Sequence, residues 1–288
     1  MKMLCYFQIQ QTFPRKGNQG ETEFAESYTR YVPSSKSQTT RLEKRHPDLI
    51  LESIDLANIS PLYMSYRLAL PEETIDSGVL SSLQMEAIVH ACFTYERILP
   101  DGHRAGFFLG DGPGVGKGRT IAGLIYENFQ RGRKKAIWFS ASSKLQCDAE
   151  DDLRNIGAGQ ITVHALNKMS FEKISADAEN GAVLFSSYSA LIEELQSGGM
   201  YSSRLEQLLE WCGQDFNGVI VFDECQCVRS DISADTCFAV LKLQSKLPNA
   251  RIIYVSSSGT SEPRNMECMV RLGLWSQGTS FQGCMNIF

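Results

Sequence analysis

The chain has 288 residues, 43% of them hydrophobic and 21% charged, with a formal net charge of −5. That suffices for a full core in one large or two small domains. No apolar run approaches the ~18–20 residues of a membrane span, and the acidic balance argues against a purely charge-driven grip on nucleic acid. The charge is uneven: residues 1–47 hold eight Lys/Arg against four Asp/Glu, and the remainder carries −9. The nine cysteines are scattered, without a C-x-x-C pair or a His at zinc spacing, which excludes a structural zinc site and predicts an intracellular, reducing compartment. The apolar stretch at the start is shorter than a secretory signal core of about 7–15 residues.

In chain order, residues 1–47 are rich in Gln, Ser, Thr and Lys and predict a disordered or extended segment. Pro47 opens ordered sequence, and Ser81–Arg97 predicts an amphipathic helix with Leu83, Ala87, Ile88, Ala91 and Cys92 on one face. From there short apolar runs alternate with helical stretches. The runs are Phe107–Leu109, Ala136–Phe139, Ile161–His164, Ala182–Phe185, Val219–Phe222 and Ile252–Val255. The helices are expected at Arg119–Gln130, Lys144–Ile156, Tyr188–Leu195, Arg204–Trp211, Ala234–Lys246 and Pro263–Leu272. Continuous rather than alternating hydrophobicity suits strands covered on both faces. The alternation predicts an α/β fold with a doubly wound, mostly parallel sheet and helices on both faces. Ligands in such sheets bind beyond the C-terminal ends of the strands.

At one such strand end stands Gly110-Asp111-Gly112-Pro113-Gly114-Val115-Gly116-Lys117-Gly118. Glycines let successive backbone N–H groups point into one concavity at a helix N-terminus, and a Lys there reaches the β- and γ-phosphates. Against the general pattern G-x-x-x-x-G-K-[S/T], Asp111 takes the place of the first Gly. Gly118 takes that of the hydroxyl that holds Mg²⁺. The spacing of a dinucleotide-binding turn is not met, because its third Gly falls at Lys117. A guanine-specific N-K-x-D is also missing; Asn167-Lys168-Met169-Ser170 ends in Ser.

A second constellation lies 106 residues beyond Lys117: the apolar run Val219–Phe222 ends in Asp223-Glu224. An Asp there supports Mg²⁺ on a nucleotide, and the next Glu can deprotonate the attacking water. On an extended backbone the two side chains diverge, one toward metal and one toward the γ-phosphate. Ser256-Ser257-Ser258 ends the last predicted strand, where hydroxyls can couple the site to a moving element. In Leu80-Ser81-Ser82-Leu83-Gln84, the Gln side chain has the donor and acceptor that pair with an adenine edge.

Together these elements resemble the first RecA-like lobe of superfamily 2 helicases and Swi/Snf-type ATPases. Gln84 matches the adenine-sensing Gln, Asp111–Lys117 motif I, Asp223-Glu224-Cys225-Gln226 the Asp-Glu-x-His/Gln box, and Ser256–Ser258 the Ser-Ala-Thr position. The resemblance narrows to the strawberry notch family through Phe108–Gly123, Gly132–Ser140, Ile75–Gly78, Leu99–Gly102, Leu208–Gly213 and Gly259–Asn265. Gly after the loop Lys is usual in that family.

The resemblance implies a RecA-like ATP-binding lobe over residues 48–280 and a divergent tail over 281–288, with the second lobe absent. Its implied cofactors are ATP and Mg²⁺. Gly112, Gly114, Val115, Gly116, Lys117, Gly118 and Arg119 hold the nucleotide, and Asp223 holds the metal through water. Lys117, Asp223, Glu224 and Gln226 form the catalytic set. It further implies a nuclear regulator of transcription and chromatin, linked to Notch signalling, with DNA or chromatin and transcription regulators as partners. The isolated lobe is expected to hydrolyse ATP weakly or not at all. The alternative is a non-catalytic nuclear interaction module that retains the P-loop fold.

Overall fold

Six of the apolar runs pair side by side into one parallel sheet. In chain order they are β1 (Phe107–Leu109), β2 (Ala136–Ser140), β3 (Val163–Ala165), β4 (Val183–Ser187), β5 (Val219–Phe222) and β6 (Arg251–Val255), and their order across the sheet is β1-β6-β5-β2-β4-β3. Every pairing is parallel, with Val221 opposite both Trp138 and Ile253. The computed structural model describes residues 9–10, 28–32, 45–57, 66–169, 174, 181–192, 194–197, 200–225, 234–256, 266 and 268–274.

The period-2 alternation of side chains splits the strands' apolar residues into two cores. On one face Leu109, Trp138, Phe185, Val221 and Ile253 pack with residues of α2 (Ser82–Thr94), α3 (Lys117–Gln130) and α4 (Gln146–Asn155). On the other, Phe108, Phe139, Leu184, Ile220 and Tyr254 pack with α5 (Arg204–Cys212) and α6 (Ala234–Lys246). A file of rings, Tyr188–Phe139–Phe222–Tyr254, crosses this second face with centroid spacings of 6.0, 5.5 and 5.7 Å. Burial on both faces explains why these strands are continuously apolar. The short α1 (Glu72–Ser77) precedes α2 and ends at Gly78 in the left-handed region, φ 69°.

Three expectations change. The helix expected at Tyr188–Leu195 is a 3₁₀ turn, Tyr188–Ile192, followed by a hairpin of Glu194–Ser197 with Met200–Ser203. Tyr188 is buried, and its hydroxyl donates to the Asp223 carbonyl at 2.8 Å, which fixes the chain there. The helix starts afresh at α5, behind a capping box of Ser203 and Glu206. Secondly, α2 is buried on all sides rather than amphipathic: every residue from Ser82 to Cys92, Gln84, Glu86 and His90 included, is buried. A small antiparallel sheet, Ile9–Gln10 and Tyr28–Arg30 flanking Leu51–Ser53, adjoins it through Ile50 and Tyr31, which cluster with Leu83. Tyr31 reaches from that sheet to hydrogen-bond Glu86. Thirdly, the helix expected at Pro263–Leu272 lies partly outside the described residues, at 263–265 and 267; its end is a 3₁₀ turn, Val270–Leu272, closed by Gly273 at φ 67°.

Candidate nucleotide site

The Gly-rich loop leaves the end of β1 and enters α3, which starts at Lys117, two residues before its expected start. Gly114 (φ 86°) and Gly116 (φ 80°) stand in the left-handed region, where residues with a Cβ are disfavoured. A Cβ on Gly116 would also lie 2.5 Å from Gln84 Nε2. Val115 between them is fully buried and clusters with Ile50 and Leu83. Lys117 folds over its own loop, its Nζ donating to the Asp111 carbonyl at 3.0 Å and the Gly112 carbonyl at 3.2 Å. These are the N–H groups a phosphate would recruit.

Chain topology carries the second constellation to this point. β5 lies two strands over from β1, with β6 between them. Asp223 N donates to the Phe139 carbonyl at 2.8 Å, and Ser256 N to the Leu109 carbonyl at 3.1 Å, so neighbouring strand ends are tied together. The Asp223 carboxylate accepts from Glu224 N at 3.0 Å and Ser140 Oγ at 3.4 Å. Glu224 then adopts φ 51°, the one non-Gly residue with positive φ among those described. The backbone at Glu224 is thus a left-handed turn, hydrogen-bonded to the Asp223 carboxylate, and not the extended strand expected there.

The electrostatics of Lys117 involve both constellations. Burial holds the Lys117 ammonium below its usual pKa, and the charges of Asp111, Glu224 and Asp223 oppose that shift. Burial pushes the Asp111 carboxyl up to about 7, against the pull of Lys117. Burial and the Glu224 charge push Asp223 up to about 6. Three carboxylates act on one ammonium, so the site is short of positive charge. That donor set, acidic oxygens beside a phosphate-type loop, fits a divalent cation such as Mg²⁺.

The remaining sequence candidates fare differently. Gln84 is buried, and its amide is saturated: Nε2 donates to the Val115 carbonyl at 3.0 Å and the Gly116 carbonyl at 3.1 Å, while Oε1 accepts from Ser81 N at 2.9 Å. The expected pairing with adenine meets an amide with no free donor. Gly118 has a packing reason: a Cβ there would overlap Asp152 Oδ2 on α4. Arg119 faces the same acid, Nε to Oδ1 4.0 Å, and its side chain is half exposed. Ser256 is fully buried; Gln226, Ser257 and Ser258 lie outside the described residues. Sequence reasoning missed Ser140, Tyr188 and Asp152. Ser140 alone left a signal, as the polar residue that ends β2 one position beyond Phe139, which pairs with Phe222 at the end of β5.

A parallel sheet with a Gly-rich loop closed on a Lys, facing an Asp-Glu pair two strands over, defines a RecA-like P-loop NTPase lobe. The chain belongs to the family of P-loop containing NTP hydrolase pore-1 proteins, whose model matches residues 45–288, and its relatives are strawberry notch proteins. It is 53% identical to Protein strawberry notch of Drosophila melanogaster over 93% of this chain and 16% of that protein. It is 52% identical to Protein strawberry notch homolog 1 of Homo sapiens over 91% of this chain and 19% of that protein. Protein FORGETTER 1 of Arabidopsis thaliana is 44% identical, over 93% of this chain and 21% of its own length. The chain therefore spans about a fifth or less of these relatives. Among solved structures it is similar to the Sulfolobus solfataricus SWI2/SNF2 ATPase core in complex with dsDNA (14% identity, TM-score 0.45, 75% of this chain, 39% of that one). It is also similar to the DUF1998 helicase MrfA bound to DNA (12%, 0.49, 89% and 33%). Among the described residues no helix is long and apolar enough to cross a membrane, and no three His, Cys, Asp or Glu form a metal-binding cluster.

Proposed function

We propose that this chain is the ATP-binding lobe of a helicase-related, strawberry notch-like protein, and that as an isolated lobe it binds ATP–Mg²⁺ and hydrolyses it weakly or not at all. The observation that supports this most is the position of Lys117, anchored on the phosphate loop and under the charge of Asp111, Glu224 and Asp223 together. On ATP binding, Lys117 exchanges the Asp111 and Gly112 carbonyls for phosphate oxygens, and the backbone from Gly112 to Gly118 supplies N–H donors. Asp223 would hold Mg²⁺ through water, with Ser140 orienting the carboxylate. The ion supplies charge neutralisation on the phosphates. Glu224, turned out of the strand by its left-handed backbone, accepts the proton of the attacking water. Gln226 and Ser256–Ser258 would sense the γ-phosphate state and couple it to motion. Gln84 braces the loop from behind.

In the cell this reading, which follows the family resemblance, puts the protein in the nucleus, acting on chromatin and transcription regulators. ATP titration of the wild-type chain and of Lys117→Ala tests the core of the proposal. Equal affinities, or no ATP-dependent rise in melting temperature for wild type, would refute it. ATPase assays with and without DNA test the hydrolysis statement. Strong DNA-stimulated turnover that disappears in Glu224→Gln would overturn the weak-hydrolysis part and restore a full motor cycle to this lobe alone.

A further inference from the structure

Trp138, on β2, is 3% exposed, and its indole Nε1 has no hydrogen-bond partner among the described residues. An unpaired buried donor is a standing cost to a fold, and proteins keep few of them without a use. Phe would fill most of the same space without that cost.

The sheet brings this donor to the acid of the nucleotide site. Trp138 stands opposite Val221 in the register of β2 and β5, and both side chains belong to the core shared with α2, α3 and α4. Side chains alternate between faces along a strand. Ser140, two residues beyond Trp138, therefore lies on the indole's face, and its Oγ stands 3.4 Å from Asp223 Oδ2. That contact sets the Asp223 carboxylate on the same side of the sheet, at the end of β5. The indole packs against Phe185 of β4, ring centroids 6.0 Å apart, which limits its rotation.

The indole also acts on the carboxylate. Burial and the Glu224 charge raise the pKa of Asp223, while the Glu224 backbone N–H, the Lys117 charge and the Trp138 side chain oppose them. The N–H dipole is thus felt at Asp223, although the two groups do not meet in hydrogen-bond geometry. The carboxylate has room for another donor. Its Oδ1 accepts from Glu224 N at 3.0 Å, and its Oδ2 has the long contact to Ser140. A carboxylate that holds a metal ion, directly or through water, takes its direction from such outer donors.

We infer that Trp138 is a positioning residue of the Mg²⁺ site: its indole N–H closes on the Asp223 carboxylate when Mg²⁺–nucleotide binds and fixes the direction that the acid presents to the ion's waters. The inference rests on the nucleotide reading above.

Nuclear magnetic resonance tests it directly. The chain has three tryptophans, so a ¹⁵N-labelled sample shows three indole N–H signals, and Trp138→Phe identifies one of them by its loss. ATP with Mg²⁺ should move the Trp138 signal downfield, as a newly formed hydrogen bond does, and ATP with a chelator should not. By calorimetric titration Trp138→Phe should bind ATP with Mg²⁺ roughly three- to tenfold more weakly, the scale of one lost hydrogen bond, and metal-free ATP as wild type does. Where Trp138→Phe is too unstable to titrate, the wild-type signal carries the test alone, assigned by elimination with Trp211→Phe and Trp275→Phe. A Trp138 signal that stays in place while Mg²⁺–ATP binds overturns the inference and leaves the nucleotide reading standing. So does a variant that weakens ATP alike with and without Mg²⁺, or in neither case. A wild-type chain that binds no ATP with Mg²⁺ removes the nucleotide reading and this inference together.

Discussion

Two buried charge clusters sit on the same helix, α3, and they differ in how well they are satisfied. Near its C-terminal end, Glu127 is fully buried and accepts from Tyr66 Oη at 2.9 Å, Ala69 N at 2.7 Å, Leu70 N at 2.9 Å and Arg131 Nε at 2.6 Å. Four donors surround one carboxylate, and the result is a staple that fastens residues 66–70 to α3. At the N-terminal end, three carboxylates act on Lys117 alone, and burial raises two of them toward neutrality. A fully paired buried charge serves the fold; an underpaired one waits for a ligand.

Breaking the satisfied cluster should have the largest effect. Glu127→Ala strands two backbone N–H groups, so urea unfolding should show a loss of about 3–5 kcal/mol. A loss under 1 kcal/mol would show that water replaces the carboxylate. Removing the lone cation of the other cluster should act on ligand rather than fold: Lys117→Ala should weaken ATP at least roughly tenfold, about 1.4 kcal/mol or more. Calorimetric titration reads this, and unfolding should change less than in Glu127→Ala.

Gly118→Ser forces a side chain into Asp152 and should destabilise by about 1–3 kcal/mol. Adding Asp152→Ala should recover most of that, and additive losses in the double mutant would show that the two residues do not meet.

The smallest effect is a pH dependence. Asp111 has its folded pKa raised to about 7 from 3.8. Below about pH 4 the group is protonated in both states and costs nothing. Between about 4 and 7 the unfolded chain releases the proton while the fold retains it, so stability falls as pH rises and levels off above 7. Asp111→Asn should therefore match wild type near pH 4 and exceed it by about 1–2 kcal/mol at pH 8. A parallel pair of stability–pH curves would show that Asp111 is solvated.

The sheet was legible because its signal is local: strands covered on both faces carry continuous apolar runs, as in Val219–Phe222, and each of the six strands overlapped such a run. The P-loop was legible because only glycines tolerate its backbone. What escaped depended on distant partners. The turn at Tyr188 follows from a hydroxyl bond to Asp223, 35 residues away. The burial of Glu86 on α2 involves Tyr31, from a stretch that reads as polar and loose. The partners of the Gln84 amide hydrogens are the loop's carbonyls, which no pattern of side chains encodes. The left-handed Glu224 left no trace, because residue type alone does not announce a positive φ outside glycine.

The contact between Gln84 and the Val115 and Gly116 carbonyls bears on entropy. A flexible loop must surrender its conformational freedom each time a ligand arrives, and that subtracts from affinity. Here α2 has already restrained the loop's last turn during folding. Phosphate then meets a rigid cradle, and the exchange of nucleotide becomes a question of charge and water, not of shaping the chain.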